Sequence, residues 1–167
     1  SARTKAYAAV NVALVERNWL LGKRIAEEEL QGENRAEYGA NVIIRLSKDL
    51  TDEYGKGFNK SNLYQFCEFY KSFPEIFHTA CGKSAILLSW SHYRTLLQVY
   101  DKKARDWYMQ EAISQTWSVR TLQRNISSQY YYRLLQSQHK DLVEKEMLEI
   151  TAPLQDTDKF EFVKNPV

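Results

Sequence analysis

The chain has 167 residues, 44% of them hydrophobic and 13% aromatic, enough for one good core or two small helical subdomains, which argues against a disordered tail. Its net charge of +2 excludes a histone-like polycation. No apolar run approaches the length that spans a bilayer, and no secretory leader pattern is present, so no membrane partner is expected.

Taken in order, Ser1-Ala2 reads as a cloning remnant, and residues 6–30 form a long helical candidate with an apolar seam of Val10, Leu14, Trp19/Leu20 and Ile25. Glu27-Glu28-Glu29 sits near its far end, where negative charge opposes the helix dipole, and Gln31-Gly32-Glu33-Asn34 is the stop. Such a seam serves core packing, or pairs with a second copy to make a homodimer. The next helix spans Ala36 to Glu53, with Tyr38, Val42, Ile43, Leu46 and Leu50 inward. Tyr54-Gly55-Lys56-Gly57 breaks it, because two glycines in three positions favour a tight turn. A helix then runs from Lys60 or Ser61 to Ser72, burying Leu63, Phe66, Cys67 and Tyr70, and Pro74 ends it. Helix, glycine turn, helix is the outline of a helix-turn-helix, with Lys60, Ser61 and Asn62 where a recognition helix presents its first residues. Pro74 to Lys83 is the least regular stretch and carries His78 and Cys81.

From Leu87 to Ile126 the chain reads as three short helices, each announced by a cap. Ser89 precedes a stripe of Trp90, Tyr93, Leu97 and Tyr100. Asp101 caps a second helix with Ala104, Trp107, Tyr108 and Ala112 inward. Thr116 or Ser118 opens a third, with Val119, Leu122, Ile126 and Tyr130 on its inner face, which runs on through Leu134 and Leu135. The tryptophans are expected in the core, while Tyr130-Tyr131-Tyr132 leaves at least one ring for contact with nucleic acid or a partner. Residues 141–150 continue as an acidic helix, and Thr151-Ala152-Pro153 breaks the pattern. The fold class expected is all-α, a helical domain over residues 3–150 with helix-turn-helix-like units, followed by a linker at 151–167.

The charge is unevenly spread. Residues 89–140 hold eight Lys/Arg against three acids, whereas 141–167 hold three against seven. A basic central block is the electrostatic footprint of a phosphate-binding surface. The outer face of the third helix carries Arg120, Gln123, Arg124 and Ser127 at i, i+3, i+4 and i+7, side chains able to bond phosphates and base edges. The same spacing also describes an ordinary solvated face. With double-stranded DNA as the expected partner, Arg94, Lys102, Lys103, Arg105, Arg120 and Arg124 supply phosphate contacts. Arg120 and Gln123 are the expected readers of base edges, Lys60 and Asn62 a second set, and His92 a surface residue near phosphate or in solvent.

Leu88 to Arg94 (LSWSHYR), Glu111 to Ile113 (EAI) and Trp117 to Ile126 (WSVRTLQRNI) resemble the YhcG-type family of bacterial proteins, as do Gly57 to Tyr70 and the tail FVKNPV. In that family this domain precedes a nuclease domain of the PD-(D/E)xK superfamily. The resemblance covers roughly residues 8–167 and implies a helical, DNA-binding N-terminal module whose tail leads into the nuclease part. It also implies that the Mg²⁺-holding carboxylates and the assisting lysine lie beyond this chain.

Within the chain no catalytic site is expected. His78 and Cys81 are a poor zinc signal without a second pair, and no phosphate loop, nucleophile elbow or strand-borne carboxylate pattern occurs, so neither a metal nor a cofactor is expected in it. Two cysteines, Cys67 and Cys81, without export signals point to reduced thiols and a cytoplasmic location.

Overall fold

The computed structural model describes residues 1–29, 35–77, 88–137 and 140–150, with the side chains of 29 and 35–38 outside that set. All regular structure among the described residues is helical. They fall into two compact units, Ser1–Ile86 and Leu87–Val167.

The first unit contains α1 (Ala2–Glu29), α2 (Arg35–Tyr54) and α3 (Lys60–Ser72). Its most extensive packing is between α1 and α3, with α2 against both. Gly22 explains the pairing: a Cβ there would lie 1.8 Å from the Phe66 carbonyl oxygen, so only a residue without a side chain lets the two backbones meet. That approach sets the buried stripe of α1 as Val15, Asn18, Trp19, Gly22, Ile25 and Ala26. Three members of the expected seam lie elsewhere: Val10 is 63% and Leu20 50% exposed, and Leu14 is half-buried. They fall outside the contact because α3 docks on the glycine side of the helix.

Trp19 anchors the unit by donating from Nε1 to the Phe73 carbonyl at 2.9 Å, with its ring edge-on to Tyr70 and Phe77. Val42 and Ile43 enter the core from α2, and Leu63, Phe66, Cys67 and Phe69 from α3. Leu46, Leu50 and Tyr70 are half-buried, and Tyr38 lies outside the described side chains. Gly55 and Gly57 adopt φ of 84° and 115°, the left-handed backbone expected of the turn. Asn59 caps α3 by accepting from the Asn62 amide at 2.9 Å. His78, Cys81 and the linker expected at 151–167 lie outside the described residues.

The second unit is assembled from shorter pieces: α4 (Trp90–Leu96), α5 (Lys102–Ser114), α6 (Val119–Ser127), α7 (Tyr130–Gln136) and α8 (residues 140–150). Here α4 packs on α6, α5 on both, and α7 on α5 and α6. Tyr93, Leu96, Ala104, Tyr108, Ala112, Trp117 and Leu122 form the core. Trp90 and Trp107 are only half-buried.

Two boundaries differ from expectation. α4 stops at Leu96 because Gln98 and Val99 turn tightly onto the carbonyls of Thr95 and Leu96, at 3.2 and 3.0 Å. Val99 is thereby buried and Tyr100 swings out to 93% exposure, not onto the inner stripe. The third helix also does not run on: it ends at Ser127, Gln129 is left-handed (φ 54°), and α7 starts at Tyr130.

Candidate nucleic-acid interface

Each short helix of the second unit is held by side chains bonded to backbone. Asp101 caps α5, accepting from Lys103 N at 2.9 Å and Ala104 N at 3.4 Å. At the other end of α5, Trp117 N donates to the Ala112 carbonyl (2.9 Å) and Thr116 N to that of Ile113 (3.4 Å), around a left-handed Thr116 with φ 55°. This is a Schellman ending, with Trp117 and Ala112 both buried. A β-branched residue is unfavourable at that φ, so the turn is held by its surroundings. Of the two cap candidates for α6, Ser118 serves, its Oγ accepting from Thr121 N at 3.0 Å.

The turn between α5 and α6 is also clipped to α4 through His92. Ring Nε2 lies 2.8 Å from the Trp117 carbonyl oxygen, which can only accept, so Nε2 carries the proton. Nδ1 then accepts from Ser89 N (3.2 Å) and Ser89 Oγ (2.7 Å), while that hydroxyl accepts from His92 N: a capping box made by a histidine. His92 is 5% exposed, and burial lowers its pKa against the smaller opposing effect of the Trp117 carbonyl. It is therefore a core clip, not the surface or phosphate-side residue that its position beside Arg94 suggested.

On α6, Thr121, Leu122 and Asn125 are buried, and Arg120, Gln123, Arg124 and Ser127 are exposed on the opposite side. Ser127 Oγ donates back to the Gln123 carbonyl at 2.8 Å, a local bond typical of serine on a helix surface. The C-terminal end of α6 is pinned by Tyr108, whose hydroxyl donates to the Asn125 carbonyl (3.2 Å) and accepts from Tyr131 N (3.1 Å).

The remaining candidates divide. Arg94, Lys102 and Lys103 are exposed in the same unit, with Lys102 paired to Asp106 one turn on. Arg105 is buried, and its Nη1 donates to the Val99 carbonyl at 2.9 Å, closing the α4–α5 connection. Its expected phosphate contact is thus replaced by a structural one, since a buried guanidinium needs carbonyl partners. Lys60 and Asn62 belong to the first unit; Lys60 is exposed, whereas Asn62 Nδ2 donates to the Gly57 carbonyl at 2.9 Å.

Tyr100 was missed as a candidate: it stands exposed beside Asp101, Lys102 and Lys103. The Asp101 cap held the clue, because a new helix starting there forces the old one to end before Tyr100. Of the tyrosine triplet, Tyr130 is buried, with its phenol pushed up to about 12 by burial, and Tyr131 is half-buried. Tyr132 is the exposed member, its hydroxyl donating to Asp101 Oδ2 at 2.9 Å and holding that carboxyl below its usual pKa.

Among the described residues no group of three or more His, Cys, Asp or Glu side chains is placed to hold a metal ion. None of the helices among them is long and apolar enough to cross a membrane.

Against known proteins, the chain is 37% identical over 180 aligned positions to the Escherichia coli (strain K12) protein named "Putative nuclease YhcG". The match covers 92% of this chain and 47% of that protein, so the chain spans about half the length of the curated relative it matches. No solved structure matches the chain. The DUF1016 N-terminal domain matches residues 1–133, most of the chain, and with this relative it shows that the chain belongs to the DUF1016 N-terminal domain family.

Proposed function

We propose that the second unit binds double-stranded DNA through the outer face of α6, acting as the target-recognition part of a bacterial, cytoplasmic nuclease. The observation that carries this reading is the two-sided character of α6: two arginines, a glutamine and a serine outward, and an inner side pinned at both ends. A recognition helix needs both properties, since base readout requires donors held in a fixed frame. Arg120 and Gln123 read base edges, and Arg94, Lys102, Lys103 and Arg124 contact phosphates. The alternative reader, α3, is less suited because the Asn62 side chain is already bonded to the Gly57 carbonyl through Nδ2. Cleavage would be supplied by a Mg²⁺-dependent PD-(D/E)xK domain outside this chain.

The test is fluorescence anisotropy of a labelled duplex at two salt concentrations. Micromolar binding that collapses as salt rises is expected. Replacing Arg120 and Arg124 together by Ala should weaken it at least tenfold with an unchanged melting curve, each contact contributing about 1–3 kcal/mol. Unchanged affinity in that double variant would sink the assignment.

A further inference from the structure

Beside the stripe that packs on α3, α1 carries a second ordered pattern. Tyr7, Val10, Leu14, Arg17, Leu21 and Arg24 recur at alternating spacings of three and four, the rhythm of a helix-pairing seam. In the seam Val10, Arg17 and Arg24 are exposed and the other three half-buried, and Ala13, Glu16, Arg17, Leu20 and Leu21 line a shallow open cleft beside it. Arg17 is folded back over the Phe58 ring (5.0 Å) and bonded to Asn18 Oδ1, which leaves its aliphatic stem as the seam's surface at that point.

The ends of the helix show what fits there. Arg3 and Lys5 stand in its first turns; in its last turns Glu27 and Glu28 pair with Lys23 (3.8 Å) and Arg24 (3.0 Å) of the same helix, and Glu29 leaves a net negative end. Parallel pairing of two copies would set the acidic triplet on itself. Antiparallel pairing sets each acidic end against the other copy's basic end, and opposes the two helix dipoles favourably. One register satisfies the whole seam: Val10 faces Leu21, Leu14 faces the stem of Arg17, Tyr7 faces Arg24, and Arg3 faces Glu28. Such self-complementarity about a midpoint is what a two-fold interface requires.

We propose that this face is covered by the same face of a second copy, the two α1 helices running antiparallel in that register. The proposal is independent of the DNA-binding reading. It is tested by light scattering after size exclusion, from micromolar to near-millimolar chain. The expected result is a rise from 19.6 kDa to twice that mass. Val10→Lys with Leu14→Lys should stay at the single-chain mass throughout with unchanged helicity. In a Cys81→Ser background, a Val10→Cys protein mixed with a Leu21→Cys protein should cross-link under mild oxidation, whereas Val10→Cys alone should not. A chain that stays monomeric, a dimer that survives the lysine pair, or a Val10→Cys protein that cross-links to itself overturns the proposal.

Discussion

The two units are held together by different means. In the first, long helices meet over a broad apolar surface, and the decisive feature is a missing side chain: Gly22 against the Phe66 carbonyl. In the second, helices of seven to thirteen residues among α4 to α7 are each too short to persist alone. They are fixed by side chains spent on backbone groups, with His92 on Trp117, Arg105 on Val99 and Tyr108 on Asn125 and Tyr131. Packing tolerates small adjustments along a helix, whereas a hydrogen bond to a particular carbonyl fixes position. The second mode suits a surface that must present Arg120 and Gln123 in a set geometry.

The largest effect that would separate the two modes is expected from Gly22→Ala. Its Cβ has no room against backbone, so at least about 3 kcal/mol should be lost. Hydrogen exchange resolved along the chain should show the loss in residues 1–77, with 88–137 still protected. Equal loss in both would show that the units do not stand apart energetically.

His92→Gln is next. Leaving the Trp117 carbonyl or the Ser89 amide poorly paired in a buried site is expected to lower the second unit's stability by about 1–3 kcal/mol. It should also change the pH response. An unfolded histidine takes up a proton as pH falls below about 6.5, whereas burial lowers the folded His92 pKa and keeps the ring neutral there. The unfolded state then binds more protons, so this contribution leaves stability intact above that pH and erodes it as pH falls. Melting at pH about 7.5 and about 5.5 should show a smaller acid-side drop in His92→Gln than in the parent. An identical drop in both would remove His92 from that role; His78 and His139 are present in each.

The smallest effect carries the opposite sign. Thr116→Gly relieves a β-branched side chain from the left-handed region and should raise the second unit's stability by about 1 kcal/mol in urea unfolding. A fall would mean that the Thr116 side chain contributes more than its backbone strain takes away.

Much of the fold was legible in the sequence. Ser89, Asp101 and Ser118 mark helix starts by a chemistry that acts within three residues, and Gly55 and Gly57 mark a turn the same way. What was not legible depends on contacts across the chain. The inner stripe of α1 is chosen by where α3 lands, and Val10 and Leu20 are as apolar as Val15, so periodicity alone cannot say which stripe is covered. The break at Gln129 carries no glycine or proline to announce it. For the candidate interface, the outward face of α6 could be read from spacing. His92 and Arg105 could not be told from surface residues, because a buried histidine or arginine is recognisable only by the carbonyl it reaches.

The bond pattern of Tyr108 changes what the interruption at Ser128-Gln129 means mechanically. Two helices joined at a left-handed residue would ordinarily pivot there. One phenol grips the Asn125 carbonyl before the bend and the Tyr131 amide after it, and burial raises its pKa, so it keeps the donor proton at neutral pH. The bend is therefore a braced elbow: torque applied to α6 is carried into α7 without being absorbed at the corner.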